Sequence, residues 1–170
     1  DASGRERSIR CRFVLDASGF GRVLPRLLDL ETPSSFPVRG ALVTHVADHI
    51  PDGAFDRNKV QIVVHPVHRD VWYWLIPFAN GRASVGCASR TEFLTAYAGA
   101  PQERLKALIS EEPFLTGLLP RAEWDTPVRE ISGYSANVKA MFGPGFALLG
   151  NAAEFLDPIF SSRVSIALRS

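Results

Sequence analysis

Four apolar runs of period two, packed into barely fifty residues, constrain this chain more than any other feature. Arg39–Val46, Lys59–His65, Val71–Phe78 and Arg82–Ser89 each read as a strand. Turn signals separate them: Pro51-Asp52-Gly53 after the first and Pro66–Asp70 after the second. Asn80-Gly81 joins the last two directly, the strongest short hairpin signal in the sequence. Strands joined by such short turns pair antiparallel, because a parallel crossover needs a dozen or more residues. An antiparallel sheet therefore occupies the middle of the chain.

Helical patterns follow the sheet. Thr91–Tyr97 and Gln102–Glu111 read as helices, the second opening after Pro101, and Pro113–Leu119 as a further helical turn ended by Pro120. Glu111-Glu112 reads as a solvated helix end, and Arg129–Asn137 returns to strand. The two ends of the chain differ from this middle. Near the start, Arg10–Leu15 reads as a strand entering a core. It runs into the small-residue turn Asp16-Ala17-Ser18-Gly19-Phe20-Gly21-Arg22 and then the short amphipathic helix Val23–Leu30. Near the end, Gly143-Pro144-Gly145 turns the chain into a buried strand, Phe146–Leu149, with Gly150 and the slim Ala152-Ala153 behind it. Pro158 pushes Asp157 out of the helical region, and Ser161 and Ser162 suit the N-cap of a helix Val164–Leu168. Strand, slim turn, Asp-Pro corner and helix N-terminus together suit an anion or a cofactor.

Composition narrows the partners. The 170 residues suffice for one domain with one core, and a net charge of +1 gives no long-range pull toward nucleic acid or an anionic membrane. No apolar run reaches membrane-spanning length. Cys11 and Cys87 each fall in an expected strand without Cys-x-x-Cys spacing, so buried free thiols and a cytoplasmic setting are expected. His45, His49, His65 and His68 form no recognised ligand pattern, and no metal site is expected.

Gly150-Asn151-Ala152-Ala153-Glu154-Phe155-Leu156-Asp157-Pro158-Ile159-Phe160-Ser161-Ser162 resembles the second FAD-contacting motif of flavin-dependent halogenases and their hydroxylase and geranylgeranyl-reductase relatives. That motif runs Gly-Asp-Ala-Ala, Asp-Pro, then Ser-Ser-Gly. Here Asn151 replaces its Asp, a mild change, and Arg163 stands at its Gly. Asp16-Ala17-Ser18-Gly19 resembles the Asp-Ala-x-Gly motif beside FAD in the same group, although alone it fits any glycine-rich strand-to-helix turn. Trp72-Tyr73-Trp74-Leu75-Ile76-Pro77 matches the Trp-x-Trp-x-Ile-Pro motif of the halogenases, though any Trp-rich strand supplies core aromatics.

The resemblance implies an α+β fold, a mainly antiparallel substrate-domain sheet with helices flanked by pieces of an α/β FAD-binding domain. It implies divisions at 1–35, 36–142 and 143–170, within a longer parent. FAD would meet Asp16, Ala17, Gly19, Gly150, Asn151, Ala152, Asp157 and Pro158. Trp72, Trp74, Pro77, Ser161, Ser162 and Arg163 would border the substrate and halide path. The family passes oxidised halide to a Lys in its N-terminal part. Neither Lys59, Lys106 nor Lys139 sits in a matching motif, so no catalytic residue is assigned. Phe160, where tryptophan halogenases carry Glu, points to phenolic, pyrrolic or carrier-protein-bound substrates, with a flavin reductase and chloride or bromide as partners. A geranylgeranyl-reductase-like alkene reductase and a non-catalytic binding paralogue remain as alternatives.

Overall fold

The computed structural model describes residues 6, 8–34, 37–154 and 168. It divides into two compact units, Asp1–Ser35 with Ser135–Ser170, and Phe36–Tyr134. The first unit opens with strand β1 (Val14–Asp16), a 3-10 turn (Gly19–Gly21), helix α1 (Val23–Leu27) and the short strand β2 (Glu31–Thr32). Pro25 falls in the first turn of α1, where its missing N–H costs nothing. Leu28 caps α1, and Asp29 follows at φ 51, so the helix ends before the expected Leu30. β1 likewise starts four residues later than the alternation suggests. Cys11 therefore lies outside any strand, and its thiol is exposed rather than buried.

The second unit is the predicted sheet. Strands β3 (Arg39–Ala47), β4 (Gln61–Val64), β5 (Trp72–Pro77), β6 (Arg82–Arg90) and β7 (Arg129–Ser132) pair antiparallel in the order β4-β5-β6-β3-β7. β3 and β6 form the longest ladder, with Leu42 opposite Cys87 and Val43 opposite Gly86. The register places Leu42, Val46, Tyr73, Leu75, Val85 and Cys87 on one face, all fully buried. Helices α2 (Thr91–Thr95), α3 (Pro101–Ser110) and α4 (Pro113–Leu118) bring Leu94, Leu105, Leu108 and Leu115 into the same core. The buried Tyr73 hydroxyl donates to the Leu108 carbonyl at 3.0 Å, tying β5 to α3.

Each helix has a local reason to start. Pro101 opens α3 behind Ala100, whose N–H donates to Glu103 Oε2 at 2.8 Å. Pro113 opens α4 behind Glu112, whose buried carboxylate accepts the Leu115 N–H at 2.7 Å. Glu111-Glu112 is therefore not a solvated end. Glu112 is an N-cap, and Glu111 accepts from His65 and Tyr97. The predicted strand 129–137 also breaks: Gly133 turns left-handed at φ 61, ending β7.

The chain then returns to the first unit through β8 (Asn137–Val138), β9 (Phe142–Gly143) and β10 (Phe146–Leu148). β8 pairs with β2, and β10 lies between β1 and β9, parallel to β1. The predicted Asp157-Pro158 corner, the Ser161-Ser162 caps and all of the helix 164–168 except Leu168 lie outside the described residues.

Gly86 and Gly117 provide opposite tests of this packing. A Cβ on Gly86 would run into the Trp74 ring and come within 2.6 Å of the Leu42 carbonyl, whereas one on Gly117 in α4 meets nothing within 4 Å. Gly86→Ala should cost about 1–3 kcal/mol through overpacking. Gly117→Ala should add about 0.5–1 kcal/mol by lowering the backbone entropy lost in the helix. Urea melts of both variants check the signs.

Candidate functional site

The first unit places two turns side by side. β1 and β10 run parallel with Asp16 opposite Leu148, and each strand ends in a 3-10 turn, Gly19–Gly21 and Gly150–Ala152. The two turns lie against each other at the carboxyl ends of the strands. Crevices outside those ends are where α/β sheets seat their ligands. The Leu149 N–H donates to the Asp16 carbonyl at 2.8 Å, so the second turn starts where the first strand stops. Gly19 and Gly150 hold left-handed φ of 58 and 52, and space around a Cβ on Gly19 is open to 4 Å. Gly150 and Ala152 are buried with minimal side chains, so their backbone stays slim. Asp16, Ala17, Gly19, Gly150, Asn151 and Ala152 are thus brought together.

Asp16 does not face this space with a free carboxylate. One oxygen accepts the Ser18 N–H at 2.8 Å and the other the Leu24 N–H at 2.7 Å, clamping the turn and the start of α1. Burial raises its pKa, but the hydrogen bonds from Ser18 and the Leu24 amide outweigh that and hold it below the usual carboxylate range. Asp16 shapes the turn, as a helix-proximal carboxylate does.

Arg22 escaped the sequence reading. It sits at φ 45, ψ 50 and is 6% exposed. Its guanidinium donates to Glu31 Oε1 at 2.8 Å, to the Asn137 carbonyl at 3.0 Å and, at a long 3.5 Å, to the Ala153 carbonyl. Nothing in the sequence marks an Arg after Phe20-Gly21 as interior. Only the Gly-rich context hinted at a left-handed position.

The second unit carries the tryptophan pair. Trp72, Trp74 and Ile76 share the sheet face opposite the leucine core, while Pro77 falls on the core side beside Ala83. Trp72 and Trp74 are 5.5 Å apart at their centroids, tilted by 45°. Trp74 Nε1 donates to Ser84 Oγ at 3.2 Å, and its ring crosses β6 over Gly86. Trp72 is 4% exposed, and its Nε1 has no hydrogen-bond partner among the described residues.

On the core side His65 is buried and its Nδ1 accepts the N–H groups of Val67 and His68. Its proton is therefore on Nε2, facing Glu111 Oε2 at 3.1 Å, while Glu111 Oε1 accepts the Tyr97 hydroxyl at 2.8 Å. Burial, then Glu111, pushes Tyr97 up to about 12. This network joins the β4–β5 turn to α2 and α3. Among the described residues no group of three His, Cys, Asp or Glu side chains could hold a metal.

No family model matches the chain. A 1H-pyrrole-2-carbonyl-[peptidyl-carrier protein] chlorinase of Pseudomonas fluorescens is 31% identical over 98% of the chain and 38% of its own length. The sulochrin halogenase of Aspergillus terreus is 38% identical over 57% of the chain and 19% of its own length. A crystal structure of a flavoprotein/dehydrogenase from Cytophaga hutchinsonii superposes with a TM-score of 0.88, 42% identical over the whole chain and 41% of its own. The chain thus spans about two fifths or less of each of these proteins. It is similar over its length to a segment of flavin-dependent halogenases and of a flavoprotein/dehydrogenase. The likeness is halogenase-like in particular, and the proteins of that class use FAD.

The residues present fit such a cofactor: the two turns are slim, and the space beside Gly19 is open, so a ligand could approach the backbone closely. Asp16→Asn should cost about 1–3 kcal/mol at neutral pH, because the amide's N–H would oppose the Ser18 or Leu24 N–H. Since the folded pKa is depressed, the carboxylate's contribution holds above about pH 4 and fades as pH falls through the folded value. Urea melts of both proteins between pH 7 and pH 3 should show the gap closing.

Proposed function

We propose that the chain carries the second flavin-contacting turn and the substrate-side sheet of a flavin-dependent halogenase acting on a phenolic, pyrrolic or carrier-bound substrate. The observation that carries this reading is the juxtaposition of the Asp16–Gly21 and Gly150–Ala152 turns at one end of a parallel strand pair. The relatives' names support it, since they give a carrier-bound pyrrole and sulochrin as substrates. In this reading the first unit, residues 1–35 with 135–170, belongs to the FAD domain, and the second unit, 36–134, to the substrate domain.

The first unit supports that division in another way. Val14 and Leu15 are 38% and 62% exposed, and Phe142 is 76% exposed. Parallel strands of α/β sheets are buried on both faces. Further strands of a larger FAD domain, in the longer chains of the relatives, would cover these side chains.

FAD, when bound, supplies the redox chemistry. The chain's own residues bind and shape. The backbone of the two turns would approach the cofactor, Asp157 and Pro158 would continue the second contact, and the Trp72–Trp74 face would wall the path to substrate. Arg163, where the family has Gly, bears on halide. A Cβ and a long stem at that position would crowd an anion that the family's Gly leaves room for. The likeness to a flavoprotein/dehydrogenase over the whole chain supports a second reading, a flavin oxidoreductase that uses no halide.

The test is turnover of the full-length protein with FAD, a flavin reductase, oxygen, bromide and a panel of phenols and carrier-bound pyrroles, read by product mass. Brominated product is expected at a low rate, because Arg163 would weaken halide binding. Oxidation or dehydrogenation of the substrate independent of bromide would replace the halogenase reading by the second. Arg163→Gly should tighten halide binding, read by bromide titration of the flavin spectrum. Trp74→Phe loses the Ser84 bond and the indole atoms that cross Gly86, which together should cost about 1–3 kcal/mol in melts. Its turnover should fall further than that loss explains.

A further inference from the structure

We infer that Arg22 is a positioning residue that braces the Gly150–Ala153 turn for FAD, an inference that rests on the FAD reading above. Three observations carry it. First, Arg22 takes a left-handed backbone conformation, which strains any residue with a Cβ and which Gly would adopt freely. A strained side chain persists where its surroundings use it. Second, the guanidinium is buried, 6% exposed, although a charge is expensive to bury unless paired and fully bonded. Third, its partners come from three separate segments of the same unit: Glu31 in β2, Asn137 in β8 and Ala153 at the end of the second turn.

The geometry separates two jobs. Nε meets the Glu31 carboxylate, which neutralises the charge. The two terminal nitrogens reach the carbonyls of Asn137 and Ala153. A planar guanidinium suits this because its donors leave in fixed directions, whereas an ammonium is a point charge. Arg22 also caps the 3-10 turn after β1, its N–H donating to the Gly19 carbonyl at 3.2 Å, and begins α1. One residue thus spans both turns: its backbone closes the first and its side chain holds the last carbonyl of the second. With that carbonyl held, the Gly150–Ala153 backbone keeps the shape that small residues alone permit but do not enforce.

The test uses the full-length protein freed of flavin, with Arg22→Gly, Arg22→Lys and Glu31→Gln. FAD binding is read by quenching of flavin fluorescence, and folding by thermal melts of the flavin-free proteins. Arg22→Gly removes the brace while relieving the backbone, so it should fold. It should weaken FAD by about tenfold or more, the loss of about one charge-assisted hydrogen bond. Glu31→Gln keeps both carbonyl bonds and should stay within about twofold of the parent. The visible spectrum of bound flavin should shift in Arg22→Gly and not in Glu31→Gln. Arg22→Gly binding within twofold, or Glu31→Gln weakening FAD as much as Arg22→Gly, overturns the inference. If Arg22→Gly shows no cooperative melt, Arg22→Lys decides: unchanged affinity with the fork lost overturns the brace, and weakened affinity in a folded protein supports it. Absence of FAD binding by the unmodified full-length protein would be a different failure, sinking the FAD reading and this inference with it.

Discussion

The β3–β6 ladder is the constraint on which the second unit depends. Side chains alternate between faces along a strand, so a slip of one residue would exchange the two faces entirely. Here both faces resist that exchange. On one, Leu42, Val85 and Cys87 meet the leucines of the helices. On the other, Gly86 is where the Trp74 ring crosses β6, with no room even for a methyl group. After a slip, Val85 or Cys87 would stand under that ring. The register is therefore held from one side by apolar burial and from the other by an absent Cβ. The Cys87 thiol, pushed well above its ordinary pKa by burial, contributes as a small apolar group.

The first unit is built on a different footing. Its strands run two or three residues, too short for a ladder to hold much. Polar clamps take over. Asp16 fixes its own turn through two amides and receives Leu149 at its carbonyl, and Arg22 gathers three segments at once. Such clamps define positions sharply over a few residues, which suits a ligand-facing turn better than a leucine core would.

What the sequence disclosed follows this division. The sheet was legible because period-two alternation and Asn80-Gly81 are local signals, and the helices because Pro101 and Pro113 mark their starts. The clustering of the two glycine turns was legible through family motifs, since no local rule pairs Asp16 with Leu148 so far along the chain. The Trp pair was legible by alternation alone. Misreadings arose where a tertiary partner decided the outcome. Glu111 and Glu112 look like a charged helix end until His65, Tyr97 and the α4 N-terminus claim them. Cys11 looked interior because its neighbours alternate, yet β1 begins only at Val14. Arg22 carries no motif signal, because an Arg becomes interior only when three distant acceptors surround it.

Five buried ionisable groups, Asp16, Arg22, Asp48, His65 and Glu112, share one property. Asp48, 2% exposed, takes Arg57 with both oxygens and the Ile50 amide besides, which outweighs burial and keeps it ionised. Glu112 starts a helix, His65 closes a turn through two amides, and Asp16 and Arg22 close the turns of the first unit. Each lies where the chain changes direction, and each makes at least one hydrogen bond to a backbone group that the turn would otherwise leave unsatisfied. Motif reading finds the opposite class of residue. Gly and Ala at positions 19, 150 and 152 stand out because the proposed cofactor would need room there, and room is what a small side chain provides. Room without a clamp is only a flexible loop. The proposed flavin site would therefore draw on two residue classes chosen by different physics: small residues that clear the space, recognisable in sequence, and buried charged residues that hold its walls, recognisable only once the chain has folded around them.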